Sequence, residues 1–374
     1  PQHPNNVSRP ALKSEFDHIT FITEDAEKCL WIGTLSNGLL RYNPQTKVST
    51  HFTSANSSGL GFKDESGWTA YASTGGWLWI STQESNLYKV DLYTTKVKVN
   101  TELGYTSFSF LDEAKGVQWF TAENGLIRKN LTSGNTTTFR NDPLNPKSLS
   151  SNWPNRIYKD PDGTIWISSP GGLNRFDDET QSFTRYVNIA NDSTSLAWNE
   201  ISILYTDSKS NFWVCTYGGG IHLMNKERGT FTRFRSNDSD TTSLSGDIVT
   251  AIIEGDNNDL WIGTWDNRGV SRMNYQTKHC KRYLQGVTVG DIEKDSKGDL
   301  WVGAVNNLYK YDKIKDSFTL YTIGGVPIPI SEMKSMVMDH NDNLWIFTVS
   351  GTLRVNTKKD QFFVYGKQNG FYAQ

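Results

Sequence analysis

The sequence predicts an all-β protein, a β-propeller of four-stranded antiparallel blades. Three observations predict it. A tryptophan-centred pentapeptide recurs eight times: LWIGT at Trp31, LWIST at Trp79, QWFTA at Trp119, IWISS at Trp166, FWVCT at Trp213, LWIGT at Trp261, LWVGA at Trp301 and LWIFT at Trp345. The spacings of 48, 40, 47, 47, 48, 40 and 44 residues suit one four-stranded blade each. Aromatic residues make up 13% of the 374 positions, and no segment keeps a helical apolar period, so the composition fits pleated surfaces.

Each unit reads as four short strands. The first ends near an acid six positions before the tryptophan: Asp25, Glu113, Asp160, Asp207, Asp295 or Asp339, with Ser73 and Gly255 as exceptions. A turn rich in Asp, Asn and Gly follows, such as Asp160-Pro161-Asp162-Gly163, because these residues tolerate tight hairpin geometry. The second strand carries the tryptophan and, three positions on, a small residue such as Thr34, Ser169 or Thr216. A Gly-Leu-like step (Gly38-Leu39, Gly125-Leu126, Gly172-Leu173, Gly220-Ile221) leads into the third strand. That strand ends in a basic-apolar-Asn/Asp triplet, as in Arg41-Tyr42-Asn43, Arg175-Phe176-Asp177 and Lys310-Tyr311-Asp312. An aromatic pair such as Phe183 and Tyr186, or Phe231 and Phe234, marks the fourth. A lone sheet of this size cannot bury its faces, so the eight tryptophans are expected between neighbouring blades.

The whole of residues 1–374 therefore reads as a single propeller domain or a propeller arc. Eight blades are expected, with a seven-bladed ring plus an extra unit as the alternative. Residues 1–6 resemble the linker at 141–146, and residues 366–371 follow a fourth strand. The chain is thus expected to be cut from a longer array or closed by packing alone.

Charge is nearly balanced, 38 Lys+Arg against 40 Asp+Glu for a net −2, which argues against an electrostatic nucleic-acid binder. No apolar run approaches the roughly 18 residues of a membrane helix, and no signal peptide is read at the start. Cys29, Cys215 and Cys280 are too far apart in sequence to suggest a motif and are expected as small buried hydrophobes. The six histidines show no metal-ligand spacing. No catalytic residue, metal or cofactor is expected.

These motifs resemble the two-component regulator propeller repeat, whose pattern is an acid, a Gly-containing turn, Leu-Trp-Ile-Gly-Thr and a Gly-Leu-x-Arg-Tyr/Phe-Asn/Asp run. The stretches 207–225 and 298–312 match closely, and Ser148-Leu149-Ser150 and Ser243-Leu244-Ser245 match its linkers. The units at Trp79 and Trp119 depart most, with Ser73, Asn86 and Lys129 off pattern. The resemblance covers nearly the whole chain. It implies the periplasmic or extracellular ligand-sensing region of a hybrid histidine kinase, whose kinase and membrane helix lie outside this chain. It further implies an oligosaccharide or other extracellular small ligand, and leaves room for a homodimer through neighbouring domains.

Subtracting the eight repeat tryptophans from 13 leaves Trp68, Trp77, Trp153, Trp198 and Trp265. Trp77 falls in a turn on the face opposite the rest. Trp153 and Trp198 precede their repeat tryptophans by 13 and 15 positions, and Trp265 follows its own by four, in the slot that Tyr217 fills one unit earlier. All lie at one end of three consecutive units, beside the long linkers 141–151, 188–197 and 236–246. Rings on loops over a rigid scaffold suit a ligand groove. Trp153, Trp198, Tyr217 and Trp265 are the candidate stacking residues, with Asn199, Asp266 and Arg268 as polar companions. The plainer reading has these rings capping the hydrophobic ends of the blades or buried under the linkers.

A polysaccharide-active propeller enzyme is the leading alternative. A glycosidase needs two carboxylates at about 5–5.5 or 6.5–9.5 Å, and no pair stands out. A lyase needs a base such as His222 with Tyr217 and Arg268 nearby, but His222 sits in a third strand and reads as structural. A protein-interaction propeller is the third class.

Overall fold

The computed structural model describes residues 19–25, 27–34, 38–53, 67–72, 77–82, 86–91, 96–102, 106–256, 259–349 and 351–365. Ser73, both chain ends and the side chains of Trp68, Trp77 and Trp79 lie outside the described residues. Eight four-stranded antiparallel sheets are present among the described residues, one for each repeat tryptophan, each taking its strands in chain order. They are numbered here as blades one to eight. Blade five, for example, comprises Ile201–Thr206, Phe212–Thr216, Ile221–Asn225 and Thr230–Phe234. The chain divides into two compact units, one up to Thr106 with blades one and two, and one from Ser107 with blades three to eight. No helix among the described residues is long and apolar enough to cross a membrane.

The tryptophan of each seam does what the repeat predicts. In the second unit Trp119 shares a core cluster with Ile165 and Ile167 of blade four, and Trp166 with Phe212 and Val214 of blade five. Trp213 clusters with Leu260 and Ile262 of blade six, Trp261 with Leu300 and Val302 of blade seven, and Trp301 with Leu344 and Ile346 of blade eight. In the first unit Trp31 clusters with Leu78 and Ile80 of blade two. The alternation of the second strand sets this pattern: the tryptophan faces the following blade, and the residues on either side of it face the preceding one.

In blades one, five, seven and eight the acid has a double task. Asp207 takes the Lys209 and Asn211 amides on Oδ1, which closes the turn, and the Trp213 indole N–H on Oδ2 at 2.8 Å. Asp25, Asp295 and Asp339 repeat this with Trp31, Trp301 and Trp345 at 2.8, 3.2 and 3.0 Å. Burial opposes ionisation of Asp207, yet the bonds from Trp213, Tyr275 and Asn211 hold its carboxyl below the usual range. The basic residue of the third strand lies over the same indole: Arg41 on Trp31, Arg128 on Trp119, Arg272 on Trp261, Lys310 on Trp301 and Arg354 on Trp345, at 4.9–5.7 Å.

Blade six has Gly255 in place of the acid, and in blades three and four the acid acts differently. In blade four Asp160 turns to Lys226 and Thr206, and the buried Trp166 indole N–H has no acceptor. In blade three Glu113 opens a short 3-10 turn, Glu113–Lys115, and the buried acid is its neighbour Asp112, bound to Lys159. The glycine of the Gly-Leu step is required by close approach. At Gly38, Gly125 and Gly220 φ is positive, and a Cβ would lie 2.2 Å from a carbonyl oxygen of the fourth strand.

Candidate ligand-binding face

In every blade the end of the second strand pairs with the start of the first. Ile201 lies opposite Thr216, and the Tyr217 amide donates to the Glu200 carbonyl at 3.0 Å. This brings Trp198 and Asn199, which precede the first strand of blade five, beside Tyr217, which follows its second. The neighbouring blade is joined in the same way: Tyr217 bridges to Ile248, whose carbonyl accepts the Trp265 amide at 2.9 Å. Trp198, Tyr217 and Trp265 thus lie along one backbone path across blades five and six. Trp153 holds the equivalent place in blade four, where the Asn155 amide donates to Ser168 O.

All four rings are open to solvent, Trp153 at 55%, Trp198 at 49%, Tyr217 at 45% and Trp265 at 42%. Trp198 is supported on one side by backbone. A Cβ on Gly218 would meet its indole at 3.3 Å, and one on Gly219 would come within 2.9 Å of its Cβ. The Gly218-Gly219 pair therefore lets the ring settle over the turn while the ring stays half open to solvent. Trp265 is the first residue of a four-residue hairpin whose next two positions, Asp266 and Asn267, have φ of 55° and 60°. Asp266 is exposed. Arg268 lies across Gly246 and pairs with Asp238 at 2.7 Å on the open surface.

Asn199 has a different task. Its Oδ1 accepts the Asn188 amide at 2.5 Å, which closes the linker into blade five. Asn152 and Asp247 make the same closure to Asn141 and Ser236, each at 2.6 Å. Each linker is then gripped by an arginine of the fourth strand it serves. The Arg233 guanidinium donates to the carbonyls of Asp192 and Ser195, and to Ser195 Oγ. Arg185 and Arg282 hold the other two linkers in the same manner. The Leu of each Ser-Leu step (Leu149, Leu196, Leu244) is buried beneath. Sequence reasoning missed these arginines, although their constant place beside the closing aromatic marks them.

His222 is fully enclosed. The Ala197 amide donates to its Nε2 at 2.9 Å, leaving Nδ1 to donate to Val214 O at 3.1 Å. Burial lowers its pKa to about 4, so the ring is neutral at pH 7. Among the described residues no group of three or more His, Cys, Asp or Glu could hold a metal. The three cysteines are buried and unpaired. Away from the rings, Asp291 and Glu293 alternate along the first strand of blade seven, Val289–Lys294. Burial raises their carboxyls to about 6 and about 7. At Asp291 the Arg156 charge opposes that rise.

Residues 148–171 and 243–266 match the family model described as the two component regulator propeller. Both segments run from a Ser-Leu-Ser linker through the first two strands, and they take in Trp153 and Trp265. The chain is similar in fold to the extracellular domain of a putative hybrid two component system from B. thetaiotaomicron, at a TM-score of 0.54 and 21% identity over 94% of this chain and 48% of that one. It thus spans about half the length of that domain. It is similar as well to virginiamycin B lyase from Staphylococcus aureus, at 0.50 and 17% over 74% of this chain and 89% of the lyase. A third likeness is to the computationally designed Ika8 protein, at 0.60 and 12% over 95% and 98%. No curated protein matches the chain.

Proposed function

We propose that this chain is the extracytoplasmic, non-catalytic ligand-sensing propeller of a two-component signalling receptor. Its ligand, in this reading, is an oligosaccharide seated on the face of Trp153, Trp198, Tyr217 and Trp265. The observation that carries the proposal is the coincidence of two features. The segments matching the two-component regulator propeller model span the first two strands of blades four and six, and those blades, with blade five between them, present four half-open rings at the same strand ends. Flat aromatic faces on rigid turns stack on the C–H faces of sugars at little entropic cost. The clamped linkers keep that platform in place without ligand. Trp265, Asp266 and Arg268 then form one wall, and Trp198 with Tyr217 the floor.

The lyase alternative draws support from the fold likeness to a lyase, but His222, its candidate base, is enclosed and occupied at both nitrogens. The discriminating experiment incubates the purified chain with a glycan panel, following thermal shift, unsaturated-product absorbance and reducing ends. A ligand at 100 times its Kd adds about 2.7 kcal/mol to stability, a plainly visible shift. Stabilisation without turnover is the expected result. Turnover, or no shift with any glycan, overturns the proposal.

A further inference from the structure

The three linker closures differ in one respect that bears on ligand charge. Each joins two positions 11 residues apart: Asn141 to Asn152, Asn188 to Asn199, and Ser236 to Asp247. The residue just before each linker, Arg140, Val187 or Arg235, lies against the glycine turn of its own blade. A Cβ on Gly125, Gly172 or Gly220 would approach it within 3.1–3.3 Å. At the junction of blades five and six the closing residue is an acid, and Arg235 pairs with Asp247 at 2.9 Å. At the junction of blades three and four the closing residue is the neutral Asn152. Arg140 there is exposed and makes no ion pair or hydrogen bond among the described residues. The Asn141–Asn152 closure brings the residue after Arg140 to the residue before Trp153, the most open of the four rings.

We infer that this corner of the face recognises an anionic sugar, one bearing a carboxylate or a sulfate ester, through Arg140 with Trp153 as the stacking ring. The inference rests on the ligand-binding reading above and gives it a substrate class. The planar guanidinium offers paired donors that match the two oxygens of such a group. An internal carboxylate, as at Asp247, would neutralise that fork and compete with the ligand. The exchange of Asp for Asn at the closing position keeps the linker bond, since either side chain accepts the same amide, and frees the charge.

The test measures binding of oligogalacturonate, its methyl-esterified form and a sulfated galacto-oligosaccharide by calorimetry. The acidic sugars should bind at least about tenfold tighter than the neutral ester, since hydrogen bonds to a charged group contribute about 1.5–3 kcal/mol. The carboxylate and sulfate arms identify which anion is preferred. Arg140→Gln should lose about tenfold for the acidic sugar and leave the ester unchanged. Asn152→Asp should weaken acidic-sugar binding likewise, with a melting temperature equal to or above the parent's, because it restores the pairing seen at Arg235. Equal affinity for acid and ester, or parent-like binding by both variants, overturns the inference while leaving the sensor reading standing. Failure of every glycan on the wider panel removes both.

Discussion

The smallest repeating device is the carboxylate that caps a turn with one oxygen and accepts an indole with the other. Because Asp207 does this and Asp160 does not, the two buried tryptophans should respond differently to the same change. Trp213→Phe deletes a charged-acceptor hydrogen bond to Asp207 Oδ2, which keeps Tyr275 and Asn211 as donors, whereas Trp166→Phe deletes a donor that has no partner. The first should cost about 1.5–3 kcal/mol more than the second in denaturant unfolding, and equal costs would show that the indole bond contributes nothing. Trp213→Ala should lose about 3–5 kcal/mol through the cavity it leaves at the seam. A second residue-scale prediction concerns Asp291 and Glu293, whose carboxyls rest at about 6 and about 7. Their folded pKa values lie above the unfolded ones. The stability they contribute is therefore full below the unfolded values near 4 and is lost as pH rises through 6 to 7. The double variant Asp291→Asn, Glu293→Gln should gain melting temperature on the parent steadily from pH 4 to pH 8. A constant difference across that range would refute the assignment.

Among the elements, the linkers carry the argument. Their length suggests loose loops, but each is closed by a hydrogen bond from a backbone amide across 11 residues, anchored by a buried leucine and gripped by an arginine of its own blade. A pre-ordered linker means that a ligand on this face does not pay for ordering the loop. Arg233→Ala should therefore both destabilise the fold, by about 1–3 kcal/mol for the polar groups left unpaired, and weaken ligand binding although it acts only through the linker backbone. Trp198→Ala should show the opposite balance: stability within about 0.5 kcal/mol of the parent and a clear loss of glycan affinity. Thermal melting paired with calorimetry separates the two patterns, and parallel behaviour of both variants would sink the distinction between platform and support.

At the scale of the whole molecule, blades associate through nearest-neighbour seams, so opening can be followed locally. Cys29 lies in the first unit, and Cys215 and Cys280 in the second; all three are buried. Burial pushes the Cys280 thiol up to about 12 and the Cys215 thiol higher still. A thiol reagent should leave all three untouched under native conditions and label them as denaturant opens each unit, and rapid labelling of Cys215 in native buffer would contradict the packing of blade five. How much of this was legible beforehand follows from the kind of interaction involved. The repeat tryptophans, their spacing, the turn chemistry and the seams are local and periodic, so the sequence by itself determined the propeller class, one four-stranded sheet per tryptophan and the burial of the cysteines and His222. The four rings were legible as exceptions to a strong period, while their exposure, at 42–55%, was decided by the tertiary structure. The sequence could not separate Asn199, a linker clasp, from a ligand contact, nor see that Asp160 abandons Trp166 for Lys226, nor that Arg235 is neutralised while Arg140 is not. Those outcomes depend on which side chains converge from different blades, 11 to 66 residues apart, and only the tertiary structure brings such partners within the hydrogen-bonding distance that decides them.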